Sequence, residues 1–367
     1  MKTRSSTYRY IALTLMGLLF LPLLVNHLPG IPKAHVFGVE EQQDSVSGSW
    51  LDGSAQHQFE KKLMDHSVSR TYLLRFRNQY QYTLFGKINA NNIYKFGDYY
   101  FRFYIPSFND ASNFIGKDSI EHTLDEIVQL QHYLGDSIPV ITIIPPSKHH
   151  YYQQFLPERN RTRSKETNYH YVLAGLKQKQ LHHIDFNHYF LNNRSEIPAI
   201  FAKGGIHWTS YASTVAADSL MKYISSVKQE HYDSFSYDTV YHNGFNVDDL
   251  DLELLRNILV KPKDTRLRDV IITPKKGKKR LKAVIIGDSF FLTIQNSGAR
   301  KAMFTDDSFY HYYFSRTYNS DLELIPFDIH KIKDAMKEAD CILLVNDITN
   351  LQVFGFGFPR RINYLFR

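Results

Sequence analysis

Short continuous runs of apolar and β-branched residues alternate with segments of helical periodicity, and this alternation most limits what the chain can fold into. Val140–Ile144 is one such run, the strand-like segment 280–286 ends in a second that starts at Ala283, and Cys341–Val345 forms a third. Runs of this kind are typical of strands buried on both faces, as in a parallel sheet. Further segments follow the same alternation: a strand-like stretch at 181–186, and helical periodicity at 119–134, 169–179, 210–227 and 329–338. The pattern predicts an α/β fold with parallel strands.

We expect a single α/β domain over residues 56–367, which the 367-residue chain is long enough to fill with one core. Within it, residues 231–279 are charged and irregular, and we predict an insertion there, not a second core. Residues 56–85 favour an amphipathic helix, and residues 92–105 favour a hairpin around a Gly-Asp turn. Residues 29–55, with Pro, Gly and Ser and no apolar periodicity, predict a tether before the domain.

The N-terminus carries the features of an export signal. Lys2, Arg4 and Arg9 precede an uncharged apolar run of 15 residues, 11–25. Because no clear A-x-A cleavage site follows, we predict an uncleaved signal anchor over residues 1–28, with the N-terminus inside and the body in the periplasm or at the cell surface. The run is short for a span of about 20 residues, and a removed signal peptide is the alternative.

Charge and cysteine content narrow the possible functions. The net charge of +7 is concentrated at the N-terminus and at residues 275–282, not in a basic stripe with interleaved aromatic residues, which argues against nucleic acid as a partner. Cys341 is the single cysteine and opens an apolar run, so intramolecular disulfides and thiolate metal sites are excluded. We expect no cofactor.

The sharpest motif is Gly287-Asp288-Ser289, which follows a buried strand. The carboxyl ends of parallel strands are where open α/β sheets bind their ligands. Glycine permits a tight turn, so the serine hydroxyl can project from the sheet while its backbone N–H faces a substrate carbonyl. We predict that Ser289 is a nucleophile and that Asp288 shapes its turn. The alternative is a serine that only caps the following helix.

A second motif supplies a candidate base. His207, followed by Trp208, lies just before the helix predicted at 210–227. A serine becomes a nucleophile only with a base within hydrogen-bonding reach, and histidine titrates in the required range. The base can precede the nucleophile in the chain, since such sites are defined by roles and not by order. A histidine that merely packs at the helix start is the alternative.

Together, the two motifs resemble the SGNH hydrolase-like domain of the alginate O-acetyltransferase family, where a D-x-H-W segment precedes a G-D-S segment. The similarity extends loosely over most of the chain after the tether, including Ile144-Pro145-Pro146-Ser147-Lys148. It implies an SGNH-like, flavodoxin-like domain of three α/β/α layers. It also implies transfer of acetyl groups to hydroxyls of an extracytoplasmic polysaccharide, with a membrane-bound O-acyltransferase partner that supplies the acetyl group.

One departure from the family pattern concerns the acid. Gly205 stands where the family has an aspartate two residues before the histidine, so the group that would orient His207 is missing there. Asp185 and Asp347 are candidate substitutes at the ends of predicted strands, and a backbone carbonyl is another possibility. Asn346 resembles the asparagine that SGNH enzymes place beside the nucleophile, where its amide could donate to an oxyanion; capping a turn is an equally good explanation.

The sequence therefore predicts an SGNH-type serine O-acetyltransferase that works through an acyl-Ser289 intermediate with His207 as base. A polysaccharide O-acetyl esterase differs only in accepting water and is the first alternative. A non-catalytic glycan-binding subunit of a polymer modification or export complex is the second, and Gly205 is the residue that favours it.

Overall fold

The computed structural model describes residues 2–38, 48–88, 90, 92–102, 113–158, 161, 166–197, 199–243, 247–260 and 266–366. The chain divides into two compact units. The smaller comprises Met1–Asn91 with Leu254–Lys263, and the larger comprises Asn92–Glu253 with Asp264–Arg367. The domain boundaries proposed from the sequence at residues 28 and 55 remain predictions.

The strands of the described residues all lie in the larger unit. In chain order they are β1 Ile93–Phe96, β2 Tyr99–Arg102, β3 Val140–Ile144, β4 His183–Asp185, β5 Ser234–Asn243, β6 Arg266–Lys275, β7 Ala283–Gly287, β8 Tyr310–Tyr312, β9 Arg316–Tyr318, β10 Leu324–Ile325 and β11 Cys341–Val345.

The α-helices of the described residues vary from one turn to 26 residues in length. In chain order they are α1 Lys2–His27, α2 Ser54–His66, α3 Val68–Phe85, α4 Lys117–Leu134, α5 Lys148–Tyr151, α6 Asn168–Gln178, α7 Phe186–Asn192, α8 Ser210–Lys228, α9 Val247–Leu254, α10 Phe290–Asn296, α11 Ala299–Met303, α12 Ile329–Lys337 and α13 Phe358–Phe366.

A seven-stranded sheet forms the centre of the larger unit, in the order β10-β9-β8-β7-β11-β3-β4. The strands from β8 to β4 are parallel, as the apolar runs predicted. The prediction of a purely parallel sheet is wrong at the other edge, where β9 pairs antiparallel with β8 and β10 pairs antiparallel with β9. The reason is the short turn at residues 313–315, because a connection of that length can join only antiparallel neighbours.

Helices cover both faces of this sheet, which confirms the α/β/α layering. Alternate residues of β3, β7 and β11 point to opposite sides, so that Ile143 and Ile285 pack towards α7 and α8. Val284 and Leu344 pack on the other side, towards α4, α6, α12 and α13. Burial on both faces explains why these strands read as continuous apolar runs in the sequence.

Residues 231–279 are more regular than the sequence suggested. They contain α9 and a two-stranded antiparallel ribbon in which all ten residues of β5 pair with β6, from Ser234 opposite Lys275 to Asn243 opposite Arg266. Phe235 on β5 is buried in the core beside α8. The high charge of the segment concealed this alternation, since a ribbon that is buried on one side presents polar residues on the other.

Of the two elements predicted ahead of the central sheet, the structure contains the hairpin but divides the helix in two. β1 and β2 form the predicted hairpin, with Gly97 in a left-handed conformation at its turn; residues 103–105 lie outside the described residues. The single helix predicted at 56–85 is two helices, α2 and α3. The break is at Ser67, whose hydroxyl caps α3 by accepting from the Arg70 N–H at 3.2 Å.

α1 belongs to the smaller unit, and its end is joined to α3 by a hydrogen bond from the Ser69 N–H to the Asn26 side chain, 2.9 Å long. Among the described residues, no helix combines the length and the apolar character that a membrane span requires. The membrane anchor predicted over residues 1–28 is therefore not supported. Residues 39–47 of the predicted tether lie outside the described residues.

Candidate active site

Ser289 lies immediately beyond the carboxyl end of β7. Gly287 closes the strand against β11, where a Cβ atom on residue 287 would come within 2.8 Å of the Val345 Cβ atom. Only glycine therefore permits this close approach of the two strands. Ser289 precedes α10, but its side chain makes no capping hydrogen bond to that helix. Its Oγ lies instead 2.7 Å from Nε2 of His207, so the capping explanation does not account for this serine.

The loop before α8 carries His207, and Trp208 fixes where that loop lies. Trp208 is fully buried, and its indole N–H donates to the Phe290 carbonyl at 3.0 Å. The ring of Phe290 also packs edge to face against His207, with ring centroids 5.3 Å apart. Trp208 thus ties the histidine loop to the first residue of the helix that follows Ser289.

Asp251 supplies the carboxylate that the sequence lacked at position 205. Its Oδ2 lies 3.0 Å from Nδ1 of His207, while its Oδ1 accepts from the backbone N–H groups of Ile206 and Leu252, both at 2.8 Å. A carboxylate at Nδ1 holds the proton on that nitrogen and leaves Nε2 as the acceptor for the Ser289 hydroxyl. The three side chains form one continuous hydrogen-bonded row.

The two carboxylates that were candidates for this role lie elsewhere in the site or beyond it. Asp185 caps α7 by accepting from the His188 N–H at 3.0 Å, and it accepts from the Tyr169 hydroxyl at 2.6 Å. Asp347 lines the same cavity as Ser289, but its Oδ1 accepts from the Thr349 N–H at 2.8 Å. The sequence analysis missed Asp251 because the residue lies 44 positions after His207, in the charged stretch taken for an irregular insertion.

Asp288 and Asp347 form a buried carboxyl pair beneath the nucleophile. Oδ2 of Asp288 accepts from the Asp347 N–H at 2.6 Å, and Oδ1 accepts from the Phe290 N–H at 3.1 Å. Asn350 bridges the pair, donating to Asp347 at 2.6 Å. Burial and the neighbouring charge of Asp347 raise the pKa of Asp288 well above its ordinary value. These contacts agree with the predicted role of Asp288 in shaping the turn.

The oxyanion role predicted for Asn346 stays a prediction, and its side-chain nitrogen is buried without a hydrogen-bond partner among the described residues. Asn346 is fully buried, its side-chain oxygen accepts from the Gly355 N–H at 3.2 Å, and it is not among the residues that line the cavity. Tyr313 lines the same cavity as Ser289. Tyr313 has a left-handed backbone, φ 47°, and its N–H donates to the Gly287 carbonyl at 2.9 Å. Burial raises the pKa of Tyr313, so the hydroxyl stays protonated.

The row of three side chains opens into a cavity of about 250 Å³. Its walls come from several segments of the larger unit: the end of β2, the start of α5, the histidine loop, α9, the nucleophile turn, the end of β8 with the turn after it, and the turn after β11. The lining residues are Arg102, Ser147, Lys148, His149, Ile206, His207, Asp251, Ser289, Phe290, Tyr312, Tyr313, Asp347, Thr349 and Asn350. A cavity of this size beside a serine and its base can hold a small acyl group.

Comparison with known proteins gives one match to a family model. Residues 105–264 match the family model described as the SGNH hydrolase-like domain of acetyltransferase AlgX, a span that includes His207 and Asp251 and ends before Ser289. No curated protein matches the sequence.

Several solved structures are similar to this chain, all at low sequence identity. The O-acetyltransferase domain of Pseudomonas putida AlgJ is 15% identical, with a TM-score of 0.43 over 73% of this chain and 97% of that chain. Bacillus cereus PatB1 is 14% identical, with a TM-score of 0.48 over 72% and 99%. Pseudomonas aeruginosa AlgX is 12% identical, with a TM-score of 0.38 over 70% of this chain and 54% of that chain. The family match over residues 105–264 confirms the predicted resemblance of this chain to the SGNH hydrolase-like domain of the alginate O-acetyltransferase family.

Proposed function

We propose that this chain is an SGNH-type serine O-acetyltransferase that moves acetyl groups onto hydroxyls of an extracytoplasmic polysaccharide through an acyl-Ser289 intermediate. The observation that carries the proposal is the row from Ser289 through His207 to Asp251, with contacts of 2.7 and 3.0 Å. The family match supports acetyl as the group transferred. The location outside the cytoplasm and a membrane-bound O-acyltransferase partner as acetyl supplier follow from the same resemblance.

In the first half-reaction, Oγ of Ser289 attacks the carbonyl carbon of the acetyl donor while its proton passes to Nε2 of His207. Asp251 stabilises the imidazolium that forms. When the bond to the leaving group breaks, His207 returns that proton to the leaving group, and the acetyl group remains on Ser289. No carboxyl group needs to change its protonation state in this sequence.

In the second half-reaction, a sugar hydroxyl takes the place of the leaving group. His207 removes the proton of that hydroxyl as its oxygen attacks the acyl carbon, and then returns a proton to Oγ of Ser289. The products are an acetyl ester of the sugar and the free enzyme. Water in place of the sugar would give hydrolysis, so the acceptor that enters the cavity decides between a transferase and an esterase.

The developing oxyanion requires hydrogen-bond donors, and two lie beside Ser289. The Ser289 N–H has no acceptor among the described residues, and Tyr313 lines the cavity together with Ser289. We assign these two groups to the oxyanion in preference to Asn346, which does not line the cavity and whose side-chain oxygen accepts from Gly355. One such donor is worth about 3 kcal/mol in the enzymes where its removal has been measured.

The binding-only alternative loses its main support. It was favoured by the absence of an acid at Gly205, and Asp251 now occupies the position that this acid would fill. A row of serine, histidine and aspartate at these distances is the arrangement that nucleophilic catalysis requires, and it therefore favours the enzyme over the binding-only alternative.

The test is a single-turnover experiment with the purified full-length chain and 4-nitrophenyl acetate, followed by mass spectrometry of its peptides. We expect one acetyl group on the peptide that contains Ser289, and none on that peptide in Ser289→Ala. Adding polysaccharide fragments should then move the acetyl group to sugar faster than free acetate is released. Acetylation at another residue would exclude Ser289 as nucleophile, and release of acetate alone would favour the esterase.

A further inference from the structure

Lys148 is a buried cation next to the site that the mechanism does not use. It begins α5, directly after the Pro145-Pro146-Ser147 segment that follows β3, and only 1% of its surface is exposed. Charged side chains are rarely buried to this extent unless each of their hydrogen-bonding groups has a partner. The partners of this ammonium group therefore indicate its role.

All three partners are backbone carbonyls of one loop. Nζ donates to Ala202 at 2.7 Å, to Lys203 at 2.9 Å and to Gly205 at 2.6 Å. An ammonium group has three N–H donors, so this set satisfies it completely and leaves none for a substrate. Because the last of these carbonyls belongs to Gly205, the cation is bound two residues before His207.

The other side of the same loop is bound to α9. The Gly204 carbonyl accepts from the N–H groups of Leu252 and Glu253, both at 3.0 Å, and the Ile206 N–H donates to Asp251. The loop packs closely on this helix, since a Cβ atom at position 204 would come within 2.9 Å of side-chain atoms of both Glu253 and Leu250. Residues 202–206 thus lie between the ammonium of Lys148 and the helix that carries the acid.

Three carbonyl oxygens that converge on one point repel each other unless a cation lies between them. The pKa of Lys148 is lowered to about 7, because the effect of burial exceeds the opposite effect of the negative charges of Asp251 and Glu253. The cation is therefore bound at a cost in hydration, which the three short hydrogen bonds offset only in this loop conformation.

We propose that Lys148 is a positioning residue whose ammonium group holds residues 202–206 in the conformation that places His207 between Ser289 and Asp251. The inference rests on the proposed function, because it assigns Lys148 to the alignment of the catalytic histidine. It gives the side chain no contact with the reacting atoms.

The variants are Lys148→Met, which keeps the length of the side chain without its charge, and Lys148→Arg, which keeps the charge. Lys222→Met removes a cation from the exposed surface of α8 and is the matched control. The first measurement is the downfield proton resonance of the His207 Nδ1–H, which depends on its hydrogen bond to Asp251 and requires no turnover. The second is kcat and KM for the acetyl ester.

We expect Lys148→Met to lose the downfield resonance and to lower kcat about 10²-fold, the typical effect of a displacement of about 1 Å in a catalytic group, with KM nearly unchanged. Lys148→Arg should retain part of both signals, and Lys222→Met should retain all of them. Folding is followed by circular dichroism, and Lys148→Gln replaces Lys148→Met if the latter does not fold.

The proposal is overturned if a folded Lys148→Met or Lys148→Gln keeps the resonance and the wild-type kcat. It is also overturned if neither variant folds under conditions where Lys222→Met does, because the side chain would then support the whole domain and not one loop. Failure of the proposed function gives a different result. In that case the resonance is still lost in Lys148→Met, but Ser289→Ala has the same activity as the wild type.

Discussion

Replacing Asp251 by asparagine tests the site most directly. Oδ1 of Asp251 accepts from Ile206 and Leu252, and an asparagine oxygen can keep both hydrogen bonds. The amide nitrogen would then face Nδ1 of His207 at about the present 3.0 Å and would donate to it. His207 would have to carry its proton on Nε2, where it could no longer accept the proton of Ser289.

The expected loss follows from that exchange of tautomers. The equivalent change in a serine protease lowers kcat about 10⁴-fold, which corresponds to about 5.5 kcal/mol of transition-state stabilisation at about 1.36 kcal/mol for each factor of ten. Because the backbone contacts of the residue are kept, the thermal midpoint of Asp251→Asn should stay within a few degrees of the wild type.

The assay is the initial rate of 4-nitrophenyl acetate cleavage, with thermal unfolding measured on the same samples. Asp185→Asn is the matched control, since Asp185 binds Tyr169 and caps α7. We expect the control to keep nearly all of its activity. An Asp251→Asn variant that keeps more than about a tenth of the wild-type kcat would refute the assignment of Asp251 as the orienting acid.

Three further predictions follow from the same contacts. Tyr313→Phe should lower kcat about 10²-fold with little change in KM, and an unchanged kcat would leave the oxyanion to the Ser289 N–H alone. Gly205→Asp should not raise the rate of ester cleavage, since Asp251 already binds Nδ1; a variant faster than wild type would contradict that assignment. Burial lowers the pKa of His149 from 6.5 to about 3. Between pH 6.5 and pH 3, His149 is therefore protonated in the unfolded chain but neutral in the folded protein. Stability that is complete above pH 6.5 should therefore fall towards pH 3, by up to about 5 kcal/mol at about 1.36 kcal/mol per pKa unit. Urea unfolding at pH 7 and pH 4 measures this loss, and His149→Gln should show less of it; equal losses in both proteins would exclude His149 as the cause.

The sequence was sufficient for the centre of the sheet and for the pairing of Ser289 with His207. Val140–Ile144 and Cys341–Val345 are strands with the predicted bounds, because a strand buried on both faces must be apolar at every position. The strands β9 and β10 have three and two residues, which is too short for any periodic pattern to show. The antiparallel edge could therefore not be predicted.

The role of Asp251 could not be predicted from the sequence, for a different reason. Local patterns identify a carboxylate as a partner of histidine only when the two residues are close in sequence, and here 44 positions separate them. What brings them together is a set of backbone contacts from Gly204 and Ile206 to α9, and no side-chain motif encodes such contacts. α9 also contains other acidic residues, so residue type alone could not single out Asp251 as the partner of His207.

The three groups of the site are fixed by different parts of the fold, and their contacts should fail separately. Ser289 is held by the sheet through Gly287 and β11, whereas His207 and Asp251 share a loop and a helix that hydrogen-bond to each other. Because Ile206 and Leu252 donate to the same oxygen of Asp251, the loop and α9 should move together. A perturbation of that pair should therefore lengthen the contact between His207 and Ser289 before the one between His207 and Asp251. The proposed mechanism transfers its proton across that contact between His207 and Ser289, so it depends on the hydrogen bonds that Trp208 and Lys148 make at the histidine loop.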